Sequence, residues 1–72
     1  MSHVVESELV ANVIAVHVAE GQQVDAGTEL VLLESMKMEI PVLAGVAGRV
    51  EAVRVTVGDV VQEGETLVVI EG

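Results

Sequence analysis

The sequence predicts an all-β domain made of two packed sheets, and three observations support this. First, the 72 residues are 51% hydrophobic but include no Phe, Tyr or Trp, so Val, Leu, Ile and Ala must build the core. A valine-rich composition favours strands. Second, the chain contains two copies of one unit. Third, no helical period runs through either copy.

The internal repeat appears when the sequence is shifted against itself by 37 positions, which aligns residues 13–34 with residues 50–71. Ten of the 22 aligned positions are identical. Each copy has a valine-rich strand, a glycine turn, a short extended stretch, a second glycine turn and a closing strand. The turns fall at Gly21, Gly27, Gly58 and Gly64. Because neither copy can bury its apolar face alone, we expect the halves to pack about a pseudo-twofold axis as a flattened, sandwich-like barrel.

The first strand of each copy departs from strict alternation. The spacing Val13, Val16, Val18 predicts a bulge or a corner where the strand changes sheets, and the second copy repeats this spacing. The predicted core consists of Val13, Val16, Val18, Val50, Val53 and Val55, together with Leu30, Leu33, Leu67 and Ile70.

The charge and composition exclude several classes of function. Twelve acidic against three basic residues give a formal charge of −9, which repels nucleic-acid phosphates and anionic membranes, so neither is an expected partner. No apolar run approaches the roughly 20 residues of a membrane span, and the first residues carry no cationic leader. We therefore expect one compact cytoplasmic domain over residues 1–72, monomeric in isolation.

Lys37 is the only lysine of the chain and the strongest candidate for chemistry. It lies between the two copies, and the repeat register places the segment Ser35 to Met38 opposite the chain termini. Two-residue hairpin turns favour Asn and Gly, yet this segment offers Met36 and Lys37. Local rules fail most often at functional sites. We interpret Lys37 as an exposed amine for covalent acylation rather than an ordinary surface charge, a role that arginine cannot fill.

Other candidate sites are weak. His3 and His17 have no metal-ligand spacing with each other or with acidic residues, so no metal site is expected. Ser35 lies in no nucleophile-elbow sequence. The closely spaced Gly45 and Gly48 neither open a helix nor precede a lysine, so they do not form a phosphate-binding loop. The chain is therefore expected to be a carrier rather than an enzyme.

Around Lys37 the sequence reads Glu34-Ser35-Met36-Lys37-Met38, which resembles the Glu-Ala-Met-Lys-Met motif of the biotinyl domains of biotin-dependent carboxylases and transcarboxylases. The resemblance covers nearly the whole chain and implies the barrel-sandwich hybrid fold, with the modified lysine on a tight hairpin turn. It further implies that Lys37 is the biotin acceptor and that Met36 and Met38 present it to other proteins. Glu34 would end the supporting strand and contribute to recognition by the ligase.

The resemblance also implies the partners. A biotin protein ligase would attach biotin to Lys37, and the biotin would carry CO2 between a biotin carboxylase and a carboxyltransferase. The chain itself would be non-catalytic, because biotin supplies the chemistry while the protein supplies binding and orientation.

Four positions depart from the family pattern. Ser35 replaces the usual Ala, Gly45 stands where Pro often follows Ala44, and Glu8 and Ala11 stand where Pro and Gly are frequent.

Two alternative functions remain. A lipoyl carrier domain resembles the same duplicated sandwich but typically flanks its lysine with Asp and Ala, and an unmodified sandwich module would act as a structural spacer without needing a lysine at the turn.

Overall fold

A computed structural model describes all residues from Met1 to Gly72 and contains eight strands and no helix. The strands are β1 (Ser2–Glu6), β2 (Ala11–Val16), β3 (Gln23–Val24), β4 (Glu29–Ser35), β5 (Met38–Leu43), β6 (Gly48–Val53), β7 (Val60–Val61) and β8 (Thr66–Glu71). The predicted all-β class is confirmed. Since the chain forms strands alone, it has no helical segment that could span a membrane.

The strands form two antiparallel four-stranded sheets. The sheet that we call the turn sheet has the order β5-β4-β2-β7, and the terminal sheet has the order β1-β8-β6-β3. Moving every strand of one order four places along the chain produces the other order. The two halves are therefore related by the pseudo-twofold axis that the repeat predicts, in a barrel-sandwich hybrid.

Hydrogen bonds that cross the pseudo-twofold axis tie each copy to the other. The Gly21 N–H donates to the Val50 carbonyl at 2.8 Å, and the Gly58 N–H donates to the Val13 carbonyl at 2.8 Å. Both glycines have positive φ, 89° and 100°, a conformation that glycine adopts without steric cost. The glycine turn of each copy thus closes on the first strand of the other copy.

The predicted bulge is confirmed in both copies. The register of β2 against β4 shifts between Val13 and Ala15, and that of β6 against β8 shifts between Val50 and Ala52. The change of sheet comes later than the bulge, in the segment between β2 and β3. The backbone at His17 is still bonded to the turn sheet, because the His17 N–H donates to the Leu30 carbonyl at 2.9 Å.

The core is a single cluster of 15 buried hydrophobic residues. Eight of the ten predicted core residues belong to it, but the prediction was wrong for Val16 and Val53, which are half-buried and pack against the cluster. The bulge is the cause, because an extra residue interrupts the alternation of inward and outward side chains along the rest of the strand. The cluster also includes the repeat-matched pairs Val24 with Val61 and Val31 with Val68.

The structure shows the backbone conformation or the packing at two of the positions that depart from the family pattern. Gly45 has a φ of 76°, which proline cannot adopt. Ala11 is buried and corresponds by the repeat to Gly48, where an added Cβ would lie only 2.5 Å from the Glu71 carbonyl oxygen. The two copies are therefore packed differently at this matched position.

Because Val13 and Val50 are matched and equally buried, at 1% exposure each, we expect Val13→Ala and Val50→Ala to lower the free energy of unfolding by similar amounts, about 1–3 kcal/mol each. Val4→Ala, at a residue that is 46% exposed, is the matched control and should change it by at most about 0.5 kcal/mol. Urea unfolding followed by circular dichroism measures all three. Unequal losses at Val13 and Val50 would contradict the equivalence of the halves.

Candidate functional site

The segment that contains Lys37 is a two-residue turn between β4 and β5. Ser35 and Met38 are paired as the last and first residues of these strands. Met36 has a φ of 53° and Lys37 a φ of 66°, and they are the only non-glycine residues of the chain with positive φ. Positive φ at both central residues is the type I′ geometry that matches the twist of a hairpin. For side-chain-bearing residues this conformation costs about 1–2 kcal/mol each.

The side chains of the turn project into solvent. Met36 is 92% exposed and Met38 is 62% exposed, and Lys37 is exposed as well. The salt bridges of the structure, His17 with Glu29 and Arg49 with Glu71, do not involve Lys37. The site therefore consists of a free primary amine flanked by two large apolar side chains, on a backbone held in a strained conformation.

The strand that supports the turn is held on both sides. β4 pairs with β5 and with β2, and its Leu33 is fully buried. Glu34 is half-buried and lies opposite Glu39 on β5 and Asn12 on β2. Glu34 is the penultimate residue of β4, since the strand continues to Ser35. The carboxylates of Glu34 and Glu39 thus come from directly opposed residues, which concentrates negative charge at the base of the turn. Like charges in this arrangement repel.

The chain termini occupy the position that the pseudo-twofold axis relates to the turn. The Gly72 N–H donates to the Met1 carbonyl at 3.1 Å, and the Met1 amine donates to the Gly72 carbonyl at 3.4 Å. This pairing corresponds to the pairing of Ser35 with Met38, as the repeat register predicts. Residues 36 and 37 thus join two strands at one of the two related positions, whereas hydrogen bonds alone hold the strands together at the other.

Sequence reasoning missed two neighbours of the turn, Asn12 and Glu39. Both lie beside Glu34 because of cross-strand register, and no local motif includes them. A groove of about 330 Å³ between the edge strands β1 and β5 was also not predicted. It is lined by residues such as Leu9, Leu33 and Ile40, and none of Met36, Lys37 and Met38 lines it.

Comparison with known proteins finds a match over residues 2–70 to the family described as biotin-requiring enzymes. The chain is 60% identical over 70 residues to the biotinylated protein TB7.3 homolog of Mycobacterium leprae, covering 97% of this chain and 99% of that protein. It is 44% identical over 63 residues to the biotin/lipoyl attachment protein of Bacillus subtilis, covering 88% of this chain and 86% of that protein.

Solved structures of carboxylases contain the same fold. A single-chain, multi-domain long-chain acyl-CoA carboxylase matches 94% of this chain with a TM-score of 0.88 and 38% identity, and the urea carboxylase of Kluyveromyces lactis matches 99% with a TM-score of 0.92 and 30% identity. The matched region spans only 7% and 6% of those enzymes.

The strain of the turn predicts that its present residues reduce stability. We expect Met36→Asn combined with Lys37→Gly, the pair that type I′ turns favour, to raise the free energy of unfolding by about 1–3 kcal/mol. Lys37→Ala keeps the strain and serves as the control, with a change of at most about 0.5 kcal/mol. Denaturant unfolding measures both. No gain from the Asn-Gly turn would show that the left-handed conformation is not strained here.

Proposed function

This chain belongs to the family of biotin-requiring enzymes as a biotinyl domain with covalently attached biotin, and on that premise we propose that Lys37 is the attachment site and that the chain carries carboxyl groups between enzymes. A biotin protein ligase would make the attachment. A biotin carboxylase would then load the carboxyl group and a carboxyltransferase would unload it.

One observation supports the attachment site above all others. The only lysine side chain of the molecule lies at the tip of a strained two-residue turn, exposed and outside both ion pairs of the structure. These residues fit biotin, because an amide bond to its carboxyl group requires an accessible primary amine. The amine of Met1, which donates a hydrogen bond to the Gly72 carbonyl, is the alternative acceptor.

Attachment of biotin removes the positive charge of Lys37. Nζ loses two of the three protons of the ammonium, keeps the third as the amide N–H, and forms a bond to the carboxyl carbon of biotin. The ligase must supply biotin in an activated form, so that the bond from this carbon to its leaving group breaks as the amide forms. Biotin, when bound, offers a ureido nitrogen that accepts and releases a carboxyl group. The contribution of the chain is to hold Lys37 on a firmly paired hairpin while Met36 and Met38 supply apolar contact beside it.

The carrier role is supported by the carboxylases whose structures contain this fold. The matched region is a small part of those enzymes, so the remaining catalytic domains are the kind of partner that this chain requires. Its charge of −9 favours encounters with basic clefts, because complementary charge raises association rates.

A lipoyl carrier is the second candidate, since a relative is named a biotin/lipoyl attachment protein. The exposed Met36 and Met38 favour biotin, because lipoyl domains typically have Asp and Ala beside the lysine. Specificity of this kind depends both on contacts made to the correct enzyme and on features that repel the wrong one.

We expect Lys37→Arg to abolish biotin attachment while the fold stays intact, with a change in stability of at most about 0.5 kcal/mol. Arg keeps the charge but cannot form the amide. Incubation with a biotin ligase, followed by avidin blotting and intact mass, measures attachment, and circular dichroism checks the fold. Biotin retained on the Arg variant would show that the Met1 amine or another group is the acceptor.

The flanking methionines should determine which ligase acts. We expect Met36→Asp combined with Met38→Ala to lower the rate of biotin attachment at least about tenfold, because the ligase loses apolar contacts, and to permit attachment of lipoate. Mass spectrometry after incubation with each ligase measures the switch. If the double variant takes biotin at the parental rate and refuses lipoate, the methionines are not the discriminating residues.

A further inference from the structure

Four strands lie at the edges of the two sheets, β1 and β3 in the terminal sheet and β5 and β7 in the turn sheet. An edge strand presents unpaired backbone groups that can pair with another chain, and folded proteins commonly block such an edge with a short strand or a proline. β3 and β7 are only two residues long, and β5 contains Pro41. β1 has five residues and no proline, so it is the edge that is not blocked in either way.

The hydrogen-bond pattern shows which backbone groups of β1 point outward. Met1 exchanges two backbone hydrogen bonds with Gly72, and in an antiparallel ladder such bonded pairs alternate with non-bonded pairs. Val4 lies three residues further along, opposite Val69, so this pair is a non-bonded one. The N–H and the carbonyl of Val4 therefore point away from β8, as do those of Ser2. We call these outward groups of Ser2 and Val4 the open edge.

The other copy provides an internal comparison for the open edge. The 37-residue register matches Val4 with Pro41, which lies opposite Leu32 on β4. Proline has no N–H, so the donor that β1 presents at Val4 is missing from β5. Since β5 still pairs with β4 on both sides of this proline, the fold does not require a donor at the matched position of β1.

An apolar groove adjoins the open edge. It is the groove of about 330 Å³ between β1 and β5, and its lining includes the buried Leu33 and also Val4, which is 46% exposed. A strand that paired with the outward side of β1 would lie between β1 and β5, where the groove is. Every second side chain of that strand would point to the same face. The groove therefore fits an extended segment with apolar residues at alternate positions.

Acidic side chains flank the same edge. Glu6 and Glu8 line the groove, and together with Glu63 they also line a second concavity beside β1. None of these three acids is in a salt bridge, since both salt bridges of the structure involve other residues. The positions on β5 and after it that match Glu6 and Glu8 hold Leu43 and Gly45. This charge attracts a cationic occupant and disfavours a second copy of the chain, which would bring a further charge of −9.

We propose that the open edge of β1 binds an extended segment of another protein in which apolar residues alternate with Lys or Arg. The segment adds to the terminal sheet as a fifth strand and exchanges backbone hydrogen bonds with Val4. Its apolar side chains enter the groove, and its cations lie beside Glu6 and Glu63. None of residues 36–38 lines the groove, so a partner can hold the domain by this edge while the lysine turn stays accessible.

The test uses the peptide acetyl-Lys-Val-Lys-Val-Lys-Val-Lys-amide as a probe of the stated chemistry. Isothermal titration calorimetry measures its affinity for the chain, and amide hydrogen exchange followed by NMR reports on the N–H of Val4. We expect saturating peptide to slow exchange at Val4 at least about tenfold, because the outward N–H becomes hydrogen-bonded. The same peptide with Glu in place of Lys should not bind.

Val4→Pro gives β1 the residue of the other copy and removes the outward donor without changing the charge. We expect this variant to bind the Lys peptide at least about tenfold more weakly. Val4→Ala is the matched control, because it keeps the N–H and loses only side-chain contact, so its affinity should fall at most about threefold. Circular dichroism and thermal melts check that both variants are folded. If Val4→Pro is unfolded, hydrogen exchange at Val4 of the unaltered chain decides the question.

A second pair of variants tests the charge. We expect Glu6→Gln to weaken binding of the Lys peptide about threefold, because an exposed charge pair contributes modestly. Glu20→Gln removes the same charge from a residue that lines neither concavity, and it should change the affinity by less than about twofold. Equal effects of the two substitutions would contradict a cationic segment held beside Glu6.

Three outcomes would overturn the proposal. An unchanged affinity in Val4→Pro would show that the peptide is held by charge alone. An unprotected Val4 N–H at saturating peptide would show that no strand is added at this edge. Dimerisation of the unaltered chain that Val4→Pro abolishes, measured by analytical ultracentrifugation, would show that a second copy occupies the edge. None of these results bears on Lys37, whose role is tested separately by biotin attachment.

Discussion

The exchange of backbone hydrogen bonds across the pseudo-twofold axis is the constraint on which the rest of the structure depends. The Val13 carbonyl accepts from the Gly58 N–H, and the Val13 N–H donates to the Asp59 carbonyl. In the same way, the Val50 carbonyl accepts from the Gly21 N–H, and the Val50 N–H donates to the Gln22 carbonyl. Neither strand can satisfy its backbone without the turn of the other copy, and an unsatisfied buried N–H or carbonyl group is costly. The two copies must therefore fold together.

This interlocking explains how a chain without aromatic residues or cysteines forms a defined core. Only 17 of 72 residues are buried, which is a small core in keeping with the limits on short chains. The fully buried leucines and valines come from matched positions of both copies, so the core is formed at the join between them. Hydrophobic burial and the crossed hydrogen bonds are thus two aspects of one association.

The same rigidity permits the strained turn. β4 is paired on both sides and anchored by Leu33, so the hairpin geometry is imposed on Met36 and Lys37 although neither favours positive φ. Strain of this kind persists where the surroundings determine the backbone, and it is common at functional sites. A flexible loop would leave the amine of Lys37 in many orientations, whereas this turn holds it in one region of space. The two related positions of the duplicated fold therefore differ: one carries the hydrogen-bonded pairing of Met1 with Gly72, and the other presents Lys37, the proposed attachment site.

The sequence by itself determined the all-β class, the two copies and the candidate site at Lys37, because these follow from composition, from the 37-residue register and from the presence of a single lysine. The tight turn could be predicted at Met36 and Lys37, although turn propensity argued against it. Tertiary structure alone decided that Val16 and Val53 are half-buried, because the bulge alters which face each later side chain meets. It also decided that Asn12, Glu39 and Val60 lie beside Glu34, since cross-strand register joins residues that are distant in the chain and share no local pattern.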